Sequence, residues 1–456
     1  MRMLFGTDGI RGVAGDPPLD AATVFAVGAA LGRQLKAQHG DARVVIGQDT
    51  RESSAWIAES LTRGLESAGV TSQSAGVITT PAVAFLARGG FAAGVVISAS
   101  HNPWTDNGIK VFAHDGYKLS DEVEEKLEGD IFALLHGNRV PAAALQRSDR
   151  PGPRGAEPRL LTEYVAWLAK KVEGTSLRSL RVLVDCANGA ATPAAHEVFR
   201  VCGIHAEFTC DQPNGRNINE NCGALHPRIV AGKVAERPGT FDLGITFDGD
   251  ADRALFSDRE GRVVNGDGIL LLAARDKKAR GRLKGDTVVA TTMSNMGLEV
   301  ALERSGIRML RAPVGDKYVL EEMKNTGATL GGEQSGHIIF RDGDSTTGDG
   351  LLTALRVMEV MARSGRPLHE LVGDLRVFPQ AIKNVRVREK RPLDQIPGIA
   401  AAIESAEKEL SGCGRVVVRY SGTEALARVM VEADNEEKMR RLTNRIADEI
   451  ESALGV

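Results

Sequence analysis

The sequence has few cysteines, and they follow neither a disulfide framework nor a zinc-binding pattern. Among its 456 residues are five cysteines: Cys186, Cys202, Cys210, Cys222 and Cys413. No two of them form a C-x-x-C pair, which excludes the usual zinc-knuckle and thioredoxin motifs. An odd number of scattered thiols is typical of a reducing compartment, so we expect a cytoplasmic protein.

Long apolar segments and a large charge imbalance are also missing. No apolar run approaches the roughly 18 residues of a membrane-spanning helix, so no membrane partner is expected. The opening MRMLFGTDG turns polar too early for a signal peptide. A formal net charge of −3 argues against a general nucleic-acid surface. An anionic ligand would therefore need a locally basic pocket.

What the sequence does contain is a repeated alternation of strand and helix patterns. Apolar runs such as 42–49 and 92–100 alternate with helical patterns such as 53–69, which predicts sheets covered by helices on both faces. The alternation restarts after a proline- and glycine-rich stretch at 148–158, and again near Gly266. We therefore predict three similar α/β domains with mixed, largely parallel sheets.

The end of the chain follows a different pattern, that of a smaller α+β domain. Alternating apolar residues predict strands, and an amphipathic helix follows them. Asp434 is the expected N-cap of that helix, with Glu437 at the capping-box position. The apolar face of the helix is predicted to contain Met439, Leu442, Ile446 and Ile450. The predicted domains are residues 1–150, 158–257, 258–372 and 373–456.

The loop FDGDADR carries three aspartates, Asp248, Asp250 and Asp252, at alternate positions. In an extended loop they would point the same way, and their charges would repel unless a cation neutralised them. Mg²⁺ suits such an oxygen site, although a solvated acidic turn remains the plainer alternative. A calcium EF-hand is excluded because Arg253 and Arg259 stand where glycine and glutamate are required. A haloacid-dehalogenase nucleophile motif would need Thr or Val at position 252.

The loop SASHNP contains two serines and a histidine where an apolar run stops. A polar turn before Pro103 is the plainer alternative. His101 need not touch Ser100, because adjacent residues of an extended chain point apart. A phosphorylated Ser100 would, however, supply the anionic oxygen that a three-carboxylate magnesium site lacks.

Two further loops carry polar groups suited to a sugar phosphate. In GGEQSGH, Glu333 and Ser335 could bind sugar hydroxyls, while His337 replaces the lysine of a phosphate-binding P-loop. In RYSGTEALAR, hydroxyls, backbone N–H groups and guanidiniums could hold a phosphate dianion. The residues concerned there are Arg419, Ser421, Gly422, Thr423 and Arg428. For both loops a simple hairpin is the alternative.

Together with GTDGIRG at 6–12, these loops occur in the order found in the α-D-phosphohexomutases, and the chain resembles that family over essentially its whole length. Within the family it is most similar to the bacterial enzymes that act on glucosamine phosphates. That similarity rests on NINENCG at 217–223, VGDKYV at 314–319 and Gln334.

The resemblance implies a heart-shaped, four-domain protein with its active site in a central cleft. It implies that Ser100 carries a phosphoryl group and that the phosphoserine and the three aspartates of the acidic loop hold Mg²⁺. Sugar contacts carry over to Glu333 and Ser335, and phosphate contacts to the polar residues of the RYSGTEALAR loop. The basic residues expected near the transferring phosphate are Arg11, Lys110 and Arg253.

The implied activity is the interconversion of glucosamine 6-phosphate and glucosamine 1-phosphate through a bound 1,6-bisphosphate. Lys110 and His101 are both possible general bases, and the sequence does not choose between them. Activity on glucose or mannose phosphates, a non-catalytic sugar-phosphate binding protein and a phosphatase are the alternatives. A monomer and a homodimer are equally compatible with the sequence.

Overall fold

The computed structural model of the chain describes residues 3–6, 8–137, 140–141, 155–341, 345–421 and 425–456. It contains two compact units. Most of the proline- and glycine-rich stretch at 148–158 lies outside the described residues. Within the described ranges, no helix is both long and apolar enough to cross a membrane. The first unit comprises Met1–Met293 and Met309–Val372, and the second comprises Ser294–Arg308 and Gly373–Val456.

The first unit begins with a mixed six-stranded sheet in the order β1-β2-β6-β5-β3-β4. Strand β3 pairs in parallel with β4 and β5, and the remaining pairs are antiparallel. All five residues of β5 are buried, as expected for a central strand covered on both faces. The strands are β1 (Phe5–Gly6), β2 (Gly9–Val13), β3 (Arg43–Gln48), β4 (Thr71–Val77), β5 (Ala93–Ile97) and β6 (Asp106–Ala113). The helices are α1 (Ala21–His39), α2 (Ser54–Ser67), α3 (Thr80–Ala87) and α4 (Asp121–His136).

A second mixed sheet follows, in the order β11-β10-β9-β7-β8. Strand β7 is parallel to β8 and β9, and β10 returns antiparallel to β9. Its strands are β7 (Arg181–Asp185), β8 (His205–Thr209), β9 (Leu243–Phe247), β10 (Ala254–Asp258) and β11 (Val263–Val264). Its helices are α5 (Pro158–Lys171), α6 (Ala191–Val201) and α7 (Pro227–Ala235).

The third sheet has four strands in the order β13-β12-β14-β15. Strand β12 is parallel to β14, and β14 forms an antiparallel pair with β15. Its strands are β12 (Thr287–Thr291), β13 (Arg308–Ala312), β14 (Leu330–Gly332) and β15 (Ile338–Phe340). The helices of this stretch are α8 (Gly266–Ala279), α9 (Met296–Arg304), α10 (Asp316–Thr326), α11 (Gly350–Ser364) and α12 (Leu368–Leu371), of which α9 belongs to the second unit.

The second unit contains an antiparallel three-stranded sheet in the order β16-β18-β17, which packs against helices. Its strands are β16 (Gln380–Arg386), β17 (Gly414–Tyr420) and β18 (Leu426–Ala433), and its helices besides α9 are α13 (Pro397–Glu409) and α14 (Glu436–Leu454). The expected class, three mixed α/β sheets followed by a smaller α+β part, is confirmed. The sheets are less parallel than predicted, since three of the five strand pairs in the first sheet are antiparallel.

The last helix shows one success and one error of the sequence analysis. All four residues of its predicted apolar face are buried. The predicted N-cap, Asp434, is wrong. The side chain of Asn435 caps the helix instead by accepting from the Lys438 backbone N–H at 3.1 Å, while Asp434 pairs with the Lys438 ammonium at 2.9 Å. The helix begins at Glu436, so Asn435 is at the N-cap position and Asp434 lies one residue before it.

Candidate active site

The serine loop lies at the carboxyl end of β5, where buried side chains hold it. Ser100 is 1% exposed, and its backbone is left-handed with a φ of 53°. The guanidinium of Arg51 and the side-chain amide of Asn219 each donate to the Ser100 carbonyl at 2.9 Å. Arg51 also forms a fully buried ion pair with Asp49 at 2.7 Å. Charged and amide groups therefore fix the loop in one conformation.

The Ser100 hydroxyl contacts two groups with possible catalytic roles. Its Oγ donates to Oδ2 of Asp248 at 2.6 Å and lies 3.2 Å from Nδ1 of His101. The left-handed backbone of Ser100 allows the contact with His101 that an extended chain would prevent. Burial, and then the charges of Arg253 and Arg11, lower the pKa of His101. Its imidazole is therefore neutral near pH 7 and can accept a proton.

The acidic loop, which joins β9 to β10, brings its three aspartates together. Ligand atoms of Asp248, Asp250 and Asp252 all lie within 4.8 Å of one another, and all three residues are buried. The convergence was predicted from an extended loop, but the chain achieves it with a turn in which Ala251 is left-handed at φ 55°. Burial, followed by repulsion from the other two carboxylates, raises the pKa of Asp248 well above its ordinary value.

The donor atoms of this cluster fit a hard divalent cation. Within the described part of the chain, Oδ1 of Asp250 and Oδ1 of Asp252 are buried without a hydrogen-bond partner. Buried carboxylate oxygens are costly in that state, and coordination of a cation would remove the cost. Oxygen ligands are those that Mg²⁺ prefers. The cluster is therefore a candidate metal site.

Lys110, on β6, places a buried positive charge beside the aspartates. Its Nζ lies 2.9 Å from Asp250 Oδ2, 3.0 Å from Asp8 Oδ2 and 3.7 Å from Asp252 Oδ2. Burial opposes its charge, but the three carboxylates raise the pKa of Lys110 well above its ordinary value. Lys110 is therefore an ammonium in this arrangement and has no lone pair with which to act as a base.

A cleft of about 540 Å³ opens beside these groups. Such a volume lies within the usual range for small-molecule sites. Arg11 lies on its wall, pairs with Asp8 and donates to the Ala99 carbonyl at 3.4 Å. The cleft thus brings together predicted site residues from four sequence-distant segments. The predicted site residues that line it are Arg11, His101, Asp252, Arg253 and Glu333.

The loop GGEQSGH forms the turn between the antiparallel strands β14 and β15, so its geometry is that of a hairpin. Oε1 of Glu333 accepts from the Gly315 backbone N–H at 3.2 Å, and its Oε2 lies 3.5 Å from the Ser335 hydroxyl. Glu333 also lines the cleft. A hairpin and a binding loop are therefore compatible descriptions of this segment.

The RYSGTEALAR segment lies in the second unit, where it connects β17 to β18. Arg419 and Arg428 face each other as cross-strand partners in the antiparallel register. Ser421 is 6% exposed, and its carbonyl accepts from the Lys390 ammonium at 2.7 Å. Two other predicted phosphate ligands, Gly422 and Thr423, lie outside the described residues.

The sequence analysis missed several residues that shape the site. Lys118 bridges Asp8 at 2.5 Å and Asp316 at 2.6 Å. Thr80, on α3, donates its hydroxyl to Oδ2 of Asp250 at 2.6 Å. Asp8 and Asp316 lie within GTDGIRG and VGDKYV, so these two motifs were the available signal. Thr80 has no comparable signal, because only packing brings α3 to the acidic loop.

Gly249 belongs to the acidic loop and packs against the serine loop, where a side chain has no room. A Cβ at this position would lie 2.4 Å from the Ser100 carbonyl oxygen and 2.9 Å from Nδ2 of Asn219. We expect Gly249→Ala to displace the serine loop from Asp248 and to lower kcat roughly tenfold, since small misplacements of reacting groups are costly. Steady-state kinetics measures the effect. Gly232→Ala, where a Cβ meets nothing within 4 Å, is the matched control, and equal kcat values for the two variants would contradict the prediction.

Comparison with known proteins identifies the family of the chain. Models of the four domains of the phosphoglucomutase/phosphomannomutase family match the chain in order. They match as alpha/beta/alpha domain I at residues 2–136, alpha/beta/alpha domain II at 162–261, alpha/beta/alpha domain III at 265–378 and the C-terminal domain at 382–449. The chain belongs to this family.

The chain is similar over its whole length to two phosphoglucosamine mutases. The phosphoglucosamine mutase of Koribacter versatilis is 62% identical over all of this chain and 98% of that protein. The phosphoglucosamine mutase of Solibacter usitatus is 51% identical over 99% of both chains. The chain is thus a phosphohexomutase, an isomerase-class phosphotransferase, that is similar to phosphoglucosamine mutases along its whole length.

Solved structures show the same fold. A phosphoglucomutase/phosphomannomutase family protein from Burkholderia thailandensis, 24% identical, matches with a TM-score of 0.77 over all of both chains. An N-acetylphosphoglucosamine mutase from Aspergillus fumigatus, in complex with GlcNAc-6P and magnesium, is 20% identical. It matches with a TM-score of 0.67 over 99% of this chain and 96% of that one.

Proposed function

We propose that this phosphohexomutase interconverts glucosamine 6-phosphate and glucosamine 1-phosphate through phosphorylated Ser100 and a bound glucosamine 1,6-bisphosphate. The observation that carries the proposal is the 2.6 Å hydrogen bond from the Ser100 hydroxyl to Asp248, beside a candidate metal site. The 62% identity to a phosphoglucosamine mutase supports the choice of sugar. The product would feed the synthesis of amino-sugar nucleotides and cell-wall precursors.

The proposed reaction consists of two phosphoryl transfers. PhosphoSer100 gives its phosphoryl group to O1 of glucosamine 6-phosphate, and the O1 proton goes to a base. The bisphosphate then reorients, and Ser100 takes the phosphoryl group from O6. The Ser100 hydroxyl gives its proton to a base and O6 takes up a proton, which leaves glucosamine 1-phosphate. Each transfer breaks one P–O bond and forms another, so the enzyme recovers its phosphate. Charge spreads over the phosphoryl oxygens in the transition state, so positioned cations are the main source of catalysis.

The oxygen donors of this cluster fit Mg²⁺ as the cofactor. The ion would be held by the phosphate of Ser100 and by Asp248, Asp250 and Asp252. When bound, the ion supplies Lewis-acid stabilisation of the phosphoryl oxygens. The chain orients Asp250 through two hydrogen bonds to its Oδ2, from Thr80 at 2.6 Å and from Lys110 at 2.9 Å.

Three basic residues and one histidine have distinct proposed roles at the transferring phosphate. Lys110 is a fixed cation, since its neighbouring carboxylates keep it protonated. Arg11 and Arg253 add guanidinium donors from the wall of the cleft. His101 is the proposed general base, because its neutral imidazole lies 3.2 Å from the serine that carries the phosphoryl group.

The remaining predicted residues are proposed to bind the parts of the substrate that do not react. Glu333 and Ser335 would bind sugar hydroxyls, and the second unit would bind the phosphate that is not being transferred. The proposed phosphate ligands are Arg419, Ser421, Gly422, Thr423 and Arg428.

We retain the four domains 1–150, 158–257, 258–372 and 373–456 as proposed boundaries. We also infer a cytoplasmic monomer or homodimer, in keeping with its five free thiols.

Loss of one phosphate guanidinium should weaken substrate binding. We expect Arg428→Ala to raise KM about tenfold, because a hydrogen bond to a charged group contributes about 1.5–3 kcal/mol. Steady-state kinetics and the phosphorylation state of Ser100 are the measurements, and the latter should not change. Arg440→Ala, which removes an exposed ion pair with Glu436, is the control and should behave as wild type. An unchanged KM in Arg428→Ala would leave the segment as a plain hairpin.

Substrate preference tests the proposed function directly. The phosphorylated enzyme should be assayed on glucosamine, glucose and mannose 6-phosphates, with product identity and inorganic phosphate measured together. We expect glucosamine 6-phosphate to be preferred, with little phosphate released. Preference for glucose or mannose 6-phosphate would support a phosphomannomutase/phosphoglucomutase instead. Phosphate as the main product would indicate a phosphatase, and binding without turnover would indicate a non-catalytic sugar-phosphate binding protein.

A further inference from the structure

A second cluster of reactive side chains lies outside the candidate active site, in the part of the first unit built on the second sheet. Asp185 ends β7, Cys210 follows β8, and Cys222 lies in the NINENCG turn. The carboxylate and the two sulfur atoms all lie within 4.8 Å of one another. The two cysteines are twelve positions apart in the chain, so the loop between β8 and α7 must fold back to bring them together.

The two thiols of this pair differ in exposure and in acidity. Cys210 is half-buried, whereas Cys222 is fully buried. The hydrogen bond from Cys222 lowers the pKa of Cys210 to about 7, against burial and the charge of Asp185, with smaller contributions from Thr209 and Lys233. Reactive cysteines are accessible and have a low pKa, and a neighbouring protected thiol can resolve their oxidation. Cys210 has the properties of the attacking thiol, and Cys222 those of the resolving thiol.

Asp185 is better explained as an anchor for this loop than as a metal ligand. Its Oδ1 accepts from the Ala187 backbone N–H at 2.7 Å, and its Oδ2 accepts from the Gly223 backbone N–H at 2.9 Å. Both carboxylate oxygens are thus engaged by the backbone. Because the Asp185 carboxylate already accepts these hydrogen bonds, the two thiols are better suited to forming a disulfide than to binding a metal.

The NINENCG turn also contacts the serine loop directly. Nδ2 of Asn219 donates to the carbonyl of Ser100 at 2.9 Å and to that of Asn102 at 3.1 Å. The backbone N–H of Asn219 donates to the Ala187 carbonyl at 2.9 Å. Cys222, three residues further along the same turn, is thus connected through Asn219 to the loop that carries Ser100.

We propose that Cys210 and Cys222 form a reversible disulfide in the presence of peroxide. Formation of this disulfide weakens the hydrogen bonds from Asn219 to the serine loop and thereby lowers turnover. The sulfur atoms lie within 4.8 Å, whereas a disulfide needs about 2 Å, so the two loops must move as the bond forms. The effect on turnover rests on the proposed function, but the formation of the disulfide does not.

The oxidation is a balanced two-electron reaction. The Cys210 thiolate attacks one oxygen of hydrogen peroxide, the O–O bond breaks, and the hydroxide that leaves takes up a proton to form water. The Cys222 sulfur then attacks the sulfenic acid of Cys210, a second water leaves, and the S–S bond forms. Two thiols are oxidised while one peroxide is reduced to two waters. A dithiol reductant reverses the reaction.

The experiment treats the full-length, phosphorylated enzyme with hydrogen peroxide and follows peptide maps and kcat together. We expect a crosslinked pair of peptides containing Cys210 and Cys222, a roughly tenfold fall in kcat, and recovery with dithiothreitol. Cys210→Ser and Cys222→Ser should each abolish the crosslink and the reversible loss. Cys413→Ser, which removes a thiol of the second unit, is the matched control and should respond as wild type.

Separate results overturn the two parts of the proposal. Absence of the crosslink under peroxide, or tight stoichiometric binding of added Zn²⁺ that depends on both cysteines, would refute the disulfide pair. A quantitative crosslink with unchanged kcat would refute the link to turnover.

Asn219→Ala should lower kcat by itself, and peroxide should then have little further effect. A full additional loss in that variant would show that the oxidation acts by another route. If no variant or wild type turns over glucosamine 6-phosphate, the proposed function fails while the crosslink result still stands.

Discussion

Ser100→Ala is expected to lower kcat by at least about three orders of magnitude, because the covalent route is lost with the nucleophile. The substitution also removes the hydrogen bond from the hydroxyl to Asp248. The fold should persist, since Arg51 and Asn219 bind the carbonyl of residue 100 and not its side chain. Substrate binding should therefore survive while turnover does not.

Intact-protein mass and steady-state kinetics together test this prediction. The wild-type protein should carry one phosphate that is absent from Ser100→Ala. Ser257→Ala is the matched control, because Ser257 is a buried serine on β10, outside the site. It should keep both the phosphate and the activity. Near-normal turnover by a pure preparation of Ser100→Ala would refute the phosphoserine mechanism.

Asp250→Asn is expected to lower kcat/KM on the order of 10²- to 10³-fold at limiting Mg²⁺, as for the loss of a group that stabilises the transition state. The change removes one charge from the aspartate cluster and replaces an oxygen donor by an amide nitrogen, which is a poor ligand for Mg²⁺. It also takes a partner from the buried ammonium of Lys110, which lies 2.9 Å from Asp250. Both effects weaken the array of charges around the phosphoryl group.

Magnesium titration of activity measures this effect. Chelation should abolish the activity of the wild type, and added Mg²⁺ should restore it at a lower concentration than in Asp250→Asn. Asp258→Asn is the control, because Asp258 is a buried carboxylate on β10 that pairs with Arg262 and not with the cluster. If Asp250→Asn stayed fully active at low Mg²⁺, the aspartate loop would not be the metal site.

The two active-site loops show where prediction from the sequence succeeds. Each follows a buried apolar strand, β5 or β9, and polar residues at that position are a strong signal in α/β proteins. The alternate spacing of the aspartates correctly indicated that their carboxylates converge. The spacing did not indicate the turn at Ala251, because a left-handed alanine has no sequence signature.

The choice between His101 and Lys110 shows where prediction from the sequence stops. Both are basic residues near Ser100 in the chain, and composition cannot rank them as bases. In the folded protein, Lys110 lies among Asp8, Asp250 and Asp252, which keep it protonated. Asp250 and Asp252 are more than a hundred residues away in sequence, so only the packing of two sheets reveals the difference in pKa.

The sequence by itself determined the α/β class, the order of the functional loops and the residue types that could carry phosphoryl transfer. These features are local, because strand periodicity and loop motifs depend only on residues that are neighbours in the sequence. Tertiary structure alone decided which groups touch. It placed Thr80 on Asp250, fixed Ser100 in a left-handed conformation against Asp248 and His101, and brought Cys210 to Cys222. Such contacts depend on how separate elements pack, and hydrogen bonds and charges act over a few ångströms in space regardless of distance along the chain.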